Sequence, residues 1–139
     1  MRHRVGWLGD VRGTSAVEFA ILTPIFLLML AGTLAYGIYF SAAHSLEQLA
    51  ADAARASIPG LNHIERNRLV RQFLDGHAET YLLIARSRLS FSIRDTPADL
   101  PQYHLTFRYD ANHLPIWNLY PPLPHPGRFI VTTSTIRLP

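Results

Sequence analysis

The chain has 139 residues, with thirteen arginines, no lysine, ten carboxylates, seven histidines and no cysteine. That length supplies one modest domain and excludes two independent cores, and the missing thiols exclude disulfide bonds. Three arginines (Arg2, Arg4, Arg12) stand against Asp10 in the first thirteen residues, and ten stand against nine acids in the rest. The basic balance is therefore concentrated at the N-terminus and does not describe a face for nucleic acid.

From Phe19 to Phe40 there are 22 residues without a charge. At the helical rise they reach roughly 33 Å, enough to cross a hydrocarbon layer of about 30 Å. The run is too long for the apolar part of a cleaved secretory signal, and the small-residue junction precedes it instead of following it. Three arginines lie before the run, and only Arg55 lies in the fifteen residues after it. The bias keeps the N-terminus cytoplasmic and exports the rest. Tyr36, Tyr39 and Phe40 fit an interfacial aromatic belt at the outer end.

Beyond the run, Leu46, Leu49, Ala50 and Ala53 recur at spacings of three and four, and Ile58-Pro59-Gly60 stops the pattern. One helix of about 44 residues from Thr14 is expected, apolar all round in its inner half and amphipathic in its outer half. A second helix starts at Asn62, whose spacing to Glu65 is that of a capping box. It buries Leu69, Val70, Phe73, Leu74, Tyr81, Ile84 and Ala85, with Gly76 as a point of division. From Leu89 the period becomes two, with Leu89, Phe91 and Ile93 on one face of a strand. Asp95–Gln102 is a turn, and Tyr103, Leu105, Phe107 and Tyr109 alternate as a second strand. Five prolines between His113 and Gly127 exclude regular helix or central strand, and the apolar residues among them are expected to cover the sheet. Phe129–Arg137 reads as a closing strand. The fold class is α+β: a long transmembrane and stalk helix, then a small exported domain with a second helix and an antiparallel sheet of about three strands.

The informative junction is Arg12-Gly13-Thr14-Ser15-Ala16-Val17-Glu18-Phe19. A glycine offers no side chain to obstruct a protease, and Thr14, Ser15 and Ala16 keep the segment accessible. A cut after Gly13 would make Thr14 the first residue and create an α-amino group of pKa ~7.7–8.0, largely protonated at neutral pH. Glu18, a lone acid at the edge of the apolar run, would then be the fifth residue. A carboxylate in a bilayer costs on the order of 2–4 kcal/mol, so a cationic partner is expected. The bland alternative is a headgroup-solvated Glu18 beside an incidental Gly13.

These residues resemble the type IV prepilin signature, and the Glu18-Phe19 pair resembles its Tad/Flp branch. Gly13 to about Ala56, including Ala16-Val17-Glu18-Phe19-Ala20, Pro24, Tyr36-Gly37 and the alanine-rich Ala50–Ala56, is similar to the TadE/TadG-type N-terminal region. The strands, proline-rich loop and Thr-Ser-rich close are similar to TadE-like proteins in a less specific way. The resemblance implies a minor pilin (pseudopilin) of the Tad pilus, a surface-adhesion fibre. It implies processing by a prepilin peptidase, with other minor pilins, the major pilin and an inner-membrane assembly platform as further partners. The location implied is the bacterial inner membrane, with a periplasmic C-terminal domain and, after assembly, the pilus tip or cell surface. On this reading 1–13 is a leader, 14–58 the transmembrane and stalk helix, and 59–139 the exported domain.

Within the span, Pro24 either bends the helix for packing or is simply tolerated. Ala31 and Ala35 have the spacing that lets two helices approach closely. No histidine pattern has metal-ligand spacing, and no nucleophile–base set, phosphate loop or carboxylate pair is visible, so no metal, cofactor or catalytic residue is assigned. Two other classes remain open: an unprocessed single-pass membrane scaffold, and an exported enzyme on an anchor.

Overall fold

The computed structural model describes residues 11–96, 102–118 and 126–137, with side chains from Ser15 onward. Met1–Asp10 of the expected leader, Pro97–Pro101 of the expected turn, Leu119–His125 of the proline-rich stretch and the last two residues lie outside the described residues. The element order is α1 (Val11–Ser57), α2 (His63–His77), β1 (Leu89–Asp95), β2 (Gln102–Asp110) and β3 (Phe129–Arg137), with short 3-10 turns at Ala78–Thr80, Arg86–Arg88 and Pro115–Asn118. The three strands form one antiparallel meander in the order β1-β2-β3. The α+β layout is the one expected from the sequence.

α1 is one helix of 47 residues with two kinds of surface. Val17, Phe19, Ile21, Leu22, Ile25, Phe26 and Leu34 are all exposed, whereas Ala35, Tyr39, Ala42, Leu46, Leu49, Ala50, Ala53 and Ala54 are buried. The buried positions step by three and four, which is one stripe of a helix. Small residues on that stripe let the remaining elements approach closely. β3 and the centre of the sheet lie against α1, and β1 reaches α2.

The sheet presents Leu89, Tyr103, Leu105, Phe107, Tyr109 and Ile130 to the helices, and Tyr103, Leu105, Phe107 and Tyr109 have no exposed surface. Truncating one of these rings typically costs about 3–5 kcal/mol, so β2 is the spine of the core. The opposite face is polar: the Thr106 and Thr133 hydroxyls lie 3.0 Å apart, and His104 Nδ1 is 2.8 Å from the Thr135 hydroxyl.

Asn62 caps α2 by accepting from the Glu65 N–H at 2.9 Å, and the Glu65 carboxylate accepts from the Leu61 N–H at 2.8 Å. Glu65 thus reaches back one residue further than the reciprocal box requires. The helix ends at His77, one residue after Gly76, so Tyr81, Ile84 and Ala85 lie beyond it. Glycine weakens the last turn, and the chain then passes through Leu83 at a φ of 65°. The Tyr109 hydroxyl clamps that left-handed residue: it donates to the Leu83 carbonyl at 2.7 Å and accepts from the Ala85 N–H at 3.2 Å. Ile84 still enters the core, from a turn that its N–H closes on the Tyr81 carbonyl at 3.2 Å.

The described part of the proline-rich stretch covers the core as expected. Leu114 and Ile116 are buried, and the Trp117 indole N–H donates to the Ala111 carbonyl at 2.8 Å.

Candidate functional site

The functional features lie along α1, and the sequence explains each placement. Ser15 to Leu34 is a largely bare segment of twenty residues, in which Gly32 alone is buried and the large side chains face outward. Its length is about 30 Å, one hydrocarbon thickness. α1 contains a stretch long and apolar enough to cross a membrane, with a mean hydropathy of 2.0. Its two threonine hydroxyls are satisfied locally: Thr23 donates to the Phe19 carbonyl at 2.6 Å and Thr33 to the Met29 carbonyl at 2.9 Å. Back-bonding of this kind is how hydroxyls are carried in lipid. Pro24 sits beside Thr23 inside the continuous helix.

α1 runs through the Gly13–Thr14 bond, so the backbone there is helical. Glu18 and Phe19 follow on the exposed surface, and Glu18 makes no ion pair among the described residues. Glycine near the start of a helix lowers the cost of opening that turn by about 1 kcal/mol relative to alanine.

The outer limit of the bare segment is set by Ala35, the first α1 residue in the domain's own core. Ala31 is half-exposed, so the pair expected to share a helix contact is divided between two environments. Tyr39 also belongs to the core: its hydroxyl donates to the Gly127 carbonyl at 2.9 Å. It is thus a tether between stalk and domain, and of the three aromatics expected in a belt it is Phe40 that remains exposed. On another flank, Leu28, Met29, Gly32, Thr33, Tyr36, Gly37 and Phe40 line an apolar groove of about 590 Å³. A side chain built at Gly37 would meet nothing within 4 Å. Such a groove accepts an acyl chain or a second helix.

Sequence reasoning missed Arg66 and the domain's foot. Arg66 is 7 % exposed, with Nε donating to the Gly60 carbonyl, Nη1 to Asp95, and the guanidinium 4.6 Å from the Tyr103 ring centroid. Its signal was present: Arg66, Val70, Leu74 and Ala78 follow one another at intervals of four. At the foot, Arg128 holds Asp110 through two hydrogen bonds of 3.1 and 2.9 Å. That pairing, with the Asn112 N–H donating to the same carboxylate, lowers the Asp110 pKa to about 2. No sequence period relates these residues, because the sheet register brings Asp110 opposite Phe129.

The fold and this geometry define a membrane-length helix that carries a small α+β domain on its outer half. Residues 13–55, a little under a third of the chain, match the family model described as TadE-like protein. The match begins at Gly13 and ends within the buried stripe of α1. Comparisons with curated proteins and with solved structures find no match.

Proposed function

We propose that the chain is a minor pilin of the Tad pilus, cut by a prepilin peptidase between Gly13 and Thr14. The observation that carries this reading is the coincidence of the TadE-like match, which begins at Gly13, with a bare apolar helix that has one carboxylate, Glu18, near its start. The α-amino group made at Thr14 and the Glu18 carboxylate of a neighbouring subunit are the complementary pair, and the apolar segments bundle around them. The groove from Leu28 to Phe40 is the flank available for a neighbouring helix, since Ala35 is already occupied. The domain is held in the periplasm by the inner membrane until the assembly platform, acting with other minor pilins and the major pilin, takes the subunit up. The adhesive fibre is the product.

The deciding experiment is the intact mass and N-terminal sequence of the membrane-extracted protein, with and without prepilin-peptidase activity. A peptidase-dependent N-terminus at Thr14 supports the pilin reading. A chain that retains Met1 in cells with active peptidase overturns it and leaves an unprocessed single-pass scaffold.

A further inference from the structure

Tyr39 sets the height of the domain above the bare segment. Its Cα lies five residues past Leu34, hence about 7.5 Å further along the axis. Helical side chains lean toward the N-terminus, so the hydroxyl bonded to Gly127 lies at or below that level. The polar layer on each side of a bilayer is about 5–8 Å deep. On the membrane reading above, the segment from Gly127 to Phe129 therefore lies within reach of the headgroups, and a tilt of α1 toward that side brings it down onto them.

The residues there are cationic and aromatic. The Arg108 guanidinium stacks 3.7 Å from the centroid of the Phe129 ring, and Arg128 lies 5.2 Å from it. Arg128 is paired with Asp110, and Arg88 is near enough to act on the same carboxylate. Arg108 makes no ion pair among the described residues. Two guanidinium groups thus act on one carboxylate, and a third, Arg108, lies over the neighbouring Phe129 ring. Phe129 and Val131 are 39 % and 58 % exposed beside them.

We propose that Arg108, Arg128 and Phe129, with Arg88 beside them, form a foot that binds the phosphate headgroups of anionic phospholipids in the facing leaflet. Guanidinium forks match phosphate oxygens in pairs, and a ring flanked by cations suits the boundary between hydrocarbon and headgroup. An acidic protein would satisfy the same charges, but the bilayer is the anionic surface within reach at this height. The foot holds the exported domain down on the membrane, and uptake into a filament must release it.

The chain contains no cysteine, so single labels can be introduced in the full-length protein. Nitroxides at Val131→Cys, Leu27→Cys and Ile64→Cys would be compared in nanodiscs of phosphatidylcholine alone and with one-third phosphatidylglycerol. Accessibility to oxygen and to a water-soluble nickel chelate reports depth. The expected result is a Val131 label that moves to headgroup depth with phosphatidylglycerol, while the Ile64 label stays in water and the Leu27 label in hydrocarbon. Arg108→Gln, which leaves the Asp110–Arg128 pair intact, should lower the docked-to-free ratio about fivefold, as should Arg88→Gln. Arg108→Lys should retain most of the docking, and Arg68→Gln on α2 should not change it. A label at Thr133→Cys repeats the measurement two residues along β3. A Val131 label in bulk water in both lipids, or equally deep in both, with Leu27 in hydrocarbon, overturns the foot alone. A Leu27 label in water overturns the membrane span on which it rests.

Discussion

The hydroxyls of Ser57 and Tyr103 lie 2.7 Å apart with no solvent access, joining the last residue of α1 to the second residue of β2. The Ser57 hydroxyl also donates to the Ala54 carbonyl at 2.7 Å. Around this pair the chain turns at Gly60 so tightly that Arg66 lies against it. A Cβ built on Gly60 would come within 2.7 Å of the Arg66 Cγ and 2.9 Å of its backbone nitrogen.

Gly60→Ala is expected to destabilise the protein by about 1–3 kcal/mol, the usual cost of forcing an atom into a packed site. Backbone is among the atoms it meets, so side-chain rotation cannot relieve the clash. Urea unfolding of the detergent-solubilised protein checks it. Gly76→Ala, where nothing lies within 4 Å, should be neutral or stabilising.

Tyr81 links the segment after α2 to the stalk by donating to Asp52 at 2.7 Å. Burial and then the Asp52 carboxylate raise its pKa from 10.0 to about 12. A raised pKa contributes stability in full below 10 and loses it as pH rises toward 12. The wild-type protein should therefore lose stability relative to Tyr81→Phe over that window. Thermal melts at a series of alkaline pH values, with phenolate absorbance, would show it.

Asp110 gives the opposite sign. Its ordinary pKa is 3.8 and the folded value is about 2, so its contribution is present above 3.8 and lost as pH falls through 2. The stability gap between wild type and Asp110→Asn should be constant from pH 5 upward and close below pH 3. A gap that persists at pH 2 would mean that Arg128 acts through packing instead of charge.

The fold was legible where one period ruled. The alternation of Leu89 to Ile93 and of Tyr103 to Tyr109, with the β-branched and aromatic Phe129–Arg137, pointed to the sheet, and the Asn62–Glu65 spacing marked the start of α2. The inner edge of the domain was hidden, because Ala35 and Tyr39 continue the buried stripe backward into an uncharged and predominantly apolar run. Hydropathy cannot separate a side chain facing lipid from one facing its own core. The end of α2 falls at the Gly76 division, but the helical stripe was carried past it for a related reason: Ile84 enters the core and Tyr81 packs against it, and sequence spacing alone assigns them to a helix. The Arg128–Asp110 pair depends on register across a loop, which no local pattern encodes.

The shared core makes a further prediction. A chain beginning at Ala35 should fold as a water-soluble domain, whereas one beginning at Ser41, after the uncharged run, loses Ala35 and Tyr39. The shorter chain should melt several degrees lower, because removing even one buried side chain costs 2 kcal/mol or more on the usual scale of about 2–5. Circular dichroism melts of the two would decide it. Equal melting temperatures would show that the tether contributes nothing.

On the proposed pilin reading, Glu18→Ala should leave processing at Thr14 intact and reduce the number of pili, since it would remove the proposed partner of the new amine and not the cut bond. Immunoblots for the processed form and microscopy of surface fibres separate the two effects. Normal piliation by the variant would refute the pairing.

α1 is a single helix, and the domain grips it from Ala35 to Ser57 while leaving the preceding twenty residues largely bare. Mechanically it is a piston rod. Pro24 grants it some freedom of angle but no slack along its length, since a helix does not telescope. On the proposed membrane span, a pull that lifts the domain by one helical turn must draw Glu18 through the bilayer by the same 5.4 Å or so. Any machine that hoists the domain therefore extracts the membrane segment in the same stroke.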